Sequence, residues 1–321
     1  MNTNFRFHKK NVILVLMTLI LFLSACAPKS SEINAIKFAV LPIIDSLPMY
    51  VAQQEGLFEA HNVQVELIAV ASGPERDQLL ASKQTDGVIN EVLTTIMNNR
   101  ESSNIQIVRF ARAATSDTAL FSILASQQSG ITTVDGLKGQ KIGISEGTVI
   151  AYLTDRMLQM EGFQPDEIVT VAVPKIPDRM TLLGSGELTA ATMPEPVSSL
   201  LALQGATVVI ADSKYPEFSY SAIAFRTDFI QQNPETVRSF LAAIEEAVQK
   251  INADPAKYET TLVENQILPK PLVGKFEVPQ FVTAGVPTET QYQDVLDWAH
   301  EKGMLTEDVP YERCITAEYL P

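Results

Sequence analysis

The sequence predicts an α/β protein of two similar lobes joined by a two-stranded hinge. Three observations carry this: strand-like runs alternate with helix-like runs, the order of elements recurs, and the recurrence reaches individual residues. Alternation of this kind is the pattern of parallel strands joined by helical crossovers. The residue-level echo lies at an offset of 103: Pro74-Glu75-Arg76-x-x-Leu79-Leu80-x-Ser82 is matched by Pro177-Asp178-Arg179-x-x-Leu182-Leu183-x-Ser185. Six similar positions in nine, inside elements already in the same order, point to duplication.

In chain order, residues 36–41 read as a strand and 48–54 as a helix closed by Gly56. Residues 63–70 alternate apolar and polar side chains as a strand, and 74–83 are helical. A short buried strand at 87–90 precedes a helix at 91–98 and a strand at 105–109. The second block repeats this with strands at 141–144, 168–173 and 189–193, and helices at 148–161, 177–185 and 196–204. Two apolar strand-like segments, 120–125 and 221–226, flank the block and are expected as the crossovers of the hinge. Lobe 2 is then an insertion at 122–220, and lobe 1 comprises 35–121 plus 221–321, including helices at 234–251 and 288–302. A two-stranded hinge permits clamshell closure about a ligand. The proline-containing stretch 266–285 is expected as an irregular surface segment.

The amino terminus reads as a lipoprotein signal, residues 1–25. Arg6, Lys9 and Lys10 precede an almost wholly apolar run at 11–23, and Leu23-Ser24-Ala25 leads into Cys26. The run falls short of the roughly 20 residues that span a bilayer. Cleavage would make Cys26 the lipid-bearing first residue and 26–34 a small, polar tether, holding the protein to the cell membrane on its extracytoplasmic face. Loss of Arg6, Lys9 and Lys10 takes the net charge from −14 to −17. So acidic a body excludes nucleic acid as a partner and leaves membrane attachment to the lipid. Once Cys26 is acylated, Cys314 has no cysteine to pair with. Three scattered histidines offer no histidine-rich metal site, and neither a metal nor a cofactor is expected.

In parallel α/β sheets ligands bind beyond the carboxyl ends of the strands. The loops there supply Asp45, Ser46 and Tyr50 after the first strand, Gly73 after the second, and Asn90 with Glu91 after the third. In lobe 2 they supply Glu146, Gly147, Thr148 and, one turn on, Tyr152; then Glu195, held between Pro194 and Pro196. Arg112 follows the fourth strand near the hinge, and Tyr220 lies at the return crossover. Asp45, Ser46 and Thr148 are also ordinary helix caps. Bare backbone N–H groups at Gly147-Thr148 form a hydrogen-bonding site at a helix start. The loops are acidic, with Arg76 the one base close by, which suits a ligand offering N–H and O–H donors. Asp45, Asn90 and Glu195 are expected to bond its polar groups, and Tyr50, Tyr152 or Tyr220 to stack on an aromatic ring.

The run Leu47-Pro48-Met49-Tyr50-Val51-Ala52, with Glu55-Gly56-Leu57-Phe58 and Val65-Glu66-Leu67 after it, resembles the opening of periplasmic solute-binding proteins of the taurine, sulfonate, nitrate and thiamine-pyrimidine type. Leu137-Lys138-Gly139-Gln140-Lys141-Ile142-Gly143 and Asn233-Pro234-Glu235-Thr236-Val237 fit the same family at the expected places. The resemblance implies the type II periplasmic-binding-protein fold and a monomeric, non-enzymatic carrier that delivers one small molecule to an ABC permease and its ATPase. Within the family it is closest to vitamin and vitamin-precursor binders, including riboflavin-binding lipoproteins, in which Glu195 would meet ring N–H or amino groups. Riboflavin or a thiamine-type pyrimidine is the expected ligand. The alternative is an alkylsulfonate, taurine or nitrate anion held by Arg76 or Arg112 and a helix N-terminus. A more remote one is an enzyme like the thiamine-pyrimidine synthases, whose cysteine cluster and reactive histidines this chain lacks.

Overall fold

The computed structural model describes residues 35–321; the expected signal segment, the tether and Cys26 lie outside the described residues. β-branched and aromatic runs form ten strands in two five-stranded sheets. In the first, β1 (Ala35–Val40) pairs in parallel with both β2 (Gln64–Ala69) and β3 (Gly87–Asn90). β10 (Tyr220–Arg226) runs antiparallel between β3 and β4 (Ile105–Ala113). In the second, β6 (Lys141–Ile144) pairs in parallel with β7 (Val169–Ala172) and β8 (Ala190–Pro194). Here β5 (Phe121–Ala125) runs antiparallel between β8 and β9 (Thr207–Ala211).

The strand orders, β2-β1-β3-β10-β4 and β7-β6-β8-β5-β9, are the same arrangement twice, with β5 standing where β10 stands. Each sheet therefore ends its parallel set against a strand that adjoins a chain crossing. The crossings are residues 114–120 and 212–219; the strands 121–125 and 220–226, expected as crossovers, each belong wholly to one sheet. Asp212 ties the two crossings together. Its carboxylate accepts the N–H groups of Leu120 (3.0 Å) and Phe121 (2.9 Å) and the hydroxyl of Ser219.

Helices follow the parallel strands as the apolar periodicity predicts: Leu47–Gln54, Gly73–Ala81 and Val92–Asn98 in lobe 1, and Val149–Met160, Ile176–Ser185 and Val197–Leu203 in lobe 2. The 20-residue helix Pro234–Ala253 covers the first sheet. Phe240 on it stacks on Phe38 (5.0 Å) and Phe58 (5.4 Å) in one dense core.

Two features differ from the sequence reading. β9 is a fifth strand of the second sheet, where no strand is expected from sequence; its β-branched run Thr207-Val208-Val209-Ile210 carries the signal. Residues 266–285 are irregular, with one 3₁₀ turn at Lys270–Leu272, but they are not merely surface. Ile267, Leu268, Leu272, Val278 and Phe281 are buried in the lobe 1 core, and Asn252 holds both the N–H (2.7 Å) and carbonyl (2.8 Å) of Phe281. Among the described residues no helix is long and apolar enough to cross a membrane.

Candidate functional site

The carboxyl ends of both parallel sets meet in a cleft between the lobes, a cavity of about 50 Å³. Lobe 1 lines it with Asp45, Gly73, Arg76, Asn90 and Glu91, and lobe 2 with Ser145, Thr148 and the strand-end prolines Pro174 and Pro194. The lobes touch across it. A Cβ on Gly73 would lie 3.2 Å from Thr148 Cγ2, so a side chain there would need Thr148 to give by a few tenths of an ångström. Backbone bonds also cross, from Ile176 N to Ala71 O (3.2 Å) and from Ile44 N to Glu195 O (3.3 Å).

Two helices begin at the cleft. Thr148 caps Val149–Met160, its hydroxyl accepting from Ile150 N, and Ser72 caps Gly73–Ala81, accepting from Glu75 N (3.3 Å). Thr148, Val149, Ile150 and Gly73 themselves line the cavity, so both helix N-termini, with their partial positive charge, open onto it.

The carboxylates of the cleft are occupied by the protein. Asp45 is buried 3.6 Å from the Arg112 guanidinium and accepts the Ser221 hydroxyl at 2.6 Å. Glu91 caps the helix Val92–Asn98, accepting Thr94 N (3.1 Å) and the Thr94 hydroxyl, with Arg76 3.9 Å away. Burial pushes the Glu91 carboxyl above the usual carboxylate range, opposed by Arg76 and Thr94. Burial likewise lowers the Arg112 guanidinium, opposed by Asp45. The groups without partners are neutral: Ser145 Oγ and Asn90 Oδ1 are buried at the cavity and make no hydrogen bond.

Of the residues singled out from sequence, Asp45, Gly73, Asn90, Glu91 and Thr148 line the central cavity. Tyr152 and Tyr220 line a narrow annex beyond Glu91 and Val149. Their hydroxyls are committed, Tyr152 to Asp294 (2.5 Å) and Tyr220 to the Gln291 carbonyl (3.2 Å), and burial raises both well above the ordinary phenol range. Ser46 is buried and donates to Leu41 O (2.8 Å), and Tyr50 packs on the lobe 1 core; neither lines the cavity. Glu146 and Gly147 are exposed beside it. Arg112 and Glu195 line a separate hinge-side pocket, where Glu195 accepts the Ser199 hydroxyl at 2.7 Å. Arg76, named from sequence as a holder of an anion, lines the cavity too; Phe121, Ser145 and Ser221 join it without having been singled out, each at a strand end, which was the signal available. Among the described residues no three His, Cys, Asp or Glu side chains are placed to share a metal ion.

A second contact between the lobes lies along the helix Val149–Met160, which faces the helix Glu289–Glu301. Arg156 reaches Asp294 (3.1 Å) and Glu301 (3.3 Å), and the Trp298 indole donates to Asp155 (2.9 Å) while meeting the Tyr152 ring edge-on at 5.6 Å.

This chain is similar to proteins of known kind. One is a protein of Brucella abortus (strain 2308) named only as a binding protein, 26% identical over 217 residues, which are 64% of this chain and 63% of that one. The chain thus spans less than two thirds of the length of that relative. Another, from Bacillus subtilis (strain 168), carries the name of an aliphatic sulfonates-binding protein; it is 26% identical over 260 residues, 77% of this chain and 76% of the relative. Among solved structures, the alkanesulfonate-binding protein of Xanthomonas axonopodis pv. citri bound to MOPS superposes with a TM-score of 0.73 at 17% identity, over 91% of this chain and 99% of that one. That likeness is one of fold, the type II periplasmic-binding-protein fold. Residues 43–258 match the NMT1/THI5 like family, more than half of the chain, and the chain belongs to that family.

Proposed function

We propose that the protein is the solute-binding component of an ABC importer and that its cleft takes a compact anion of the alkylsulfonate type. The observation that carries this reading is the state of the charges at the cavity. Its carboxylates are spent on Arg112, Arg76 and a helix cap, while the first N–H groups of two helices, those of Gly73 and Val149, and the unpartnered Ser145 hydroxyl remain to donate. Backbone N–H groups at helix starts are suited to an oxyanion. The names of the Bacillus and Xanthomonas relatives agree with such a ligand.

The expected vitamin has no support here. An acidic cleft waiting for N–H donors is not what these residues make, because Asp45 and Glu91 already have partners and Glu195 lies in another pocket. Tyr50, Tyr152 and Tyr220 offer no ring face to the central cavity. A cavity of about 50 Å³ also falls far below the roughly 300–1,000 Å³ of sites for drug-sized ligands. With Cys26 acylated, the carrier would work from the extracytoplasmic face of the membrane and hand its ligand to a permease and ATPase, which favour the closed form.

Isothermal calorimetry of the mature protein against methanesulfonate, butanesulfonate, taurine, nitrate, riboflavin and an aminomethylpyrimidine tests the reading. One-to-one binding of at least one of the four small anionic or zwitterionic compounds, recovered unchanged by mass spectrometry, is the expected result. Binding confined to riboflavin or the pyrimidine would overturn it, and chemical conversion of the bound molecule would favour an enzyme.

A further inference from the structure

The duplication places Arg76 and Arg179 at one position in two lobes, the fourth residue of the helices Gly73–Ala81 and Ile176–Ser185. Each guanidinium reaches the same carbonyl of the next parallel strand. Arg76 Nη1 donates to Ile89 O at 3.1 Å and Arg179 Nε to Thr192 O at 3.0 Å, and residues 89 and 192 are again 103 apart.

Around that shared bond the copies diverge. Arg76 has Asp77 at 2.8 Å, Glu91 at 3.9 Å and the Thr94 hydroxyl at 3.4 Å. The residues 103 further on are Met180, Pro194 and Val197, none of which can take a charge. Arg179 therefore has no acidic partner among the described residues, although it is 0% exposed. Its other donors go to the carbonyls of Val173 (2.6 Å) and Pro174 (3.4 Å), and Nη2 makes no hydrogen bond. Burial lowers its pKa to about 10, which leaves it a cation at neutral pH.

Its place is beneath the lobe 2 side of the cleft. The guanidinium holds the carbonyl of Val173, just past β7, and that of Thr192 in the middle of β8, and the side chain runs past Gly143 of β6, whose added Cβ would lie 3.5 Å from Arg179 Cδ. Pro174, Pro194 and Ser145, at the ends of those same three strands, line the cavity. A buried cation with no counter-charge is costly, and breaking up an ion pair leaves just such a group. In lobe 1 the cost is met by Glu91 and Asp77; in lobe 2 the described residues offer carbonyls but no counter-charge.

We propose that Arg179 is a specificity-determining charge of the cleft, a fixed cation under lobe 2 whose counter-ion is the negative group of the bound ligand. It acts through the field rather than by contact: it holds the carbonyls of Val173 and Thr192 onto itself and makes the closed cavity electropositive from below. The inference rests on the anion reading above and deepens it, by assigning the selecting charge to lobe 2 and not to Arg76 or Arg112, which are neutralised in place.

The test compares Arg179→Gln with Arg179→Lys, measuring calorimetric affinity for whichever sulfonate binds tightest and for methanesulfonate against its neutral isostere dimethyl sulfone. Both variants lose the guanidinium fork, and only the first loses the charge. Arg179→Gln is expected to weaken sulfonate binding tenfold or more while leaving any dimethyl sulfone binding within twofold, and Arg179→Lys to stay within about fivefold of wild type. Should Arg179→Gln fail to fold, Arg179→Lys decides alone: a loss of tenfold or more there refutes the assignment, as does equal weakening by both variants. Binding of nitrate or a sulfonate by wild type with no loss in Arg179→Gln refutes the inference and leaves the anion reading standing. Failure of wild type to bind any anion refutes that reading, and the inference with it.

Discussion

The Asp45–Arg112 pair decides whether the cleft is acidic, and it can be tested by its energetics. Both side chains are buried, with 3% and 2% of their surface exposed, and their nearest charged atoms are 3.6 Å apart. At an effective dielectric of about 20, that separation corresponds to roughly 4–5 kcal/mol of attraction, much of it offset by desolvation. Asp45→Asn keeps the shape and an acceptor for the Ser221 hydroxyl but leaves Arg112 with the Ala119 carbonyl (2.9 Å) as its hydrogen-bonded partner. The expected cost is about 3 kcal/mol, the lower end for breaking a buried pair. Arg112→Met should cost a similar amount, because it strands the carboxylate. The double variant should cost about 2 kcal/mol less than the two added together, since neither charge is then left alone. Urea unfolding followed by far-ultraviolet circular dichroism reads all four proteins, provided the slope with denaturant is unchanged. Additivity to within about 0.5 kcal/mol would refute the pairing. Asp45 would then be free for a ligand donor, and a neutral ligand would regain its footing.

Three further outcomes follow from the same geometry. Trp298 is the single tryptophan, and it spans the contact between Val149–Met160 and the helix Glu289–Glu301; ligand-driven movement of the lobes should change its fluorescence, and binding seen by calorimetry without any change would refute that placement. Burial raises the Asp212 carboxyl from 3.8 to about 6; between those values the unfolded chain has released a proton that the fold retains, so stability from this group is full below pH 3.8 and lost as pH rises through about 6, by about 2–3 kcal/mol. A carbon-13 titration of Asp212 with its midpoint near 4 would contradict this. Cys26→Ser should release the protein from the membrane fraction or leave it unprocessed, and an unlipidated mature form that still sediments with membranes would mean a different tether.

What could be read in the sequence was what neighbouring residues decide. Apolar runs and 3.6-residue periodicity mark most strands and helices of both lobes, and β3 and β6 fall where expected to the residue. The loops at the strand ends were legible too, which is why Asp45, Gly73, Asn90, Glu91 and Thr148 reach the cavity. The partners of those residues were not. Asp45 is neutralised by a residue 67 positions on and bonded to one 176 positions away, distances at which local pattern carries no information. Counting carboxylates in loops therefore overstated the negative charge a ligand would meet. The tyrosines failed for a related reason: the hydroxyls of Tyr152 and Tyr220 are taken by Asp294 and the Gln291 carbonyl, far along the chain.

The duplication also explains how the lobes can move together without coming apart. In each sheet the antiparallel strand adjoining the parallel set is entered from a crossing, β5 from residues 114–120 and β10 from 212–219. A rotation of one lobe must be absorbed in those two segments, because the strands on either side are locked in their own sheets. Asp212 fixes the start of the second crossing to the end of the first through Leu120 and Phe121, and bonds Ser219 at the far end of its own segment. Arg112, at the end of β4, reaches from Ala119 in the first crossing to Asp45 at the cleft. The charge that neutralises Asp45 thus belongs to the hinge, so a substitution that alters how the lobes close should also alter what lies between them. Arg179, bonded only within lobe 2, is outside that linkage, and its charge stays with the cavity whatever the hinge does.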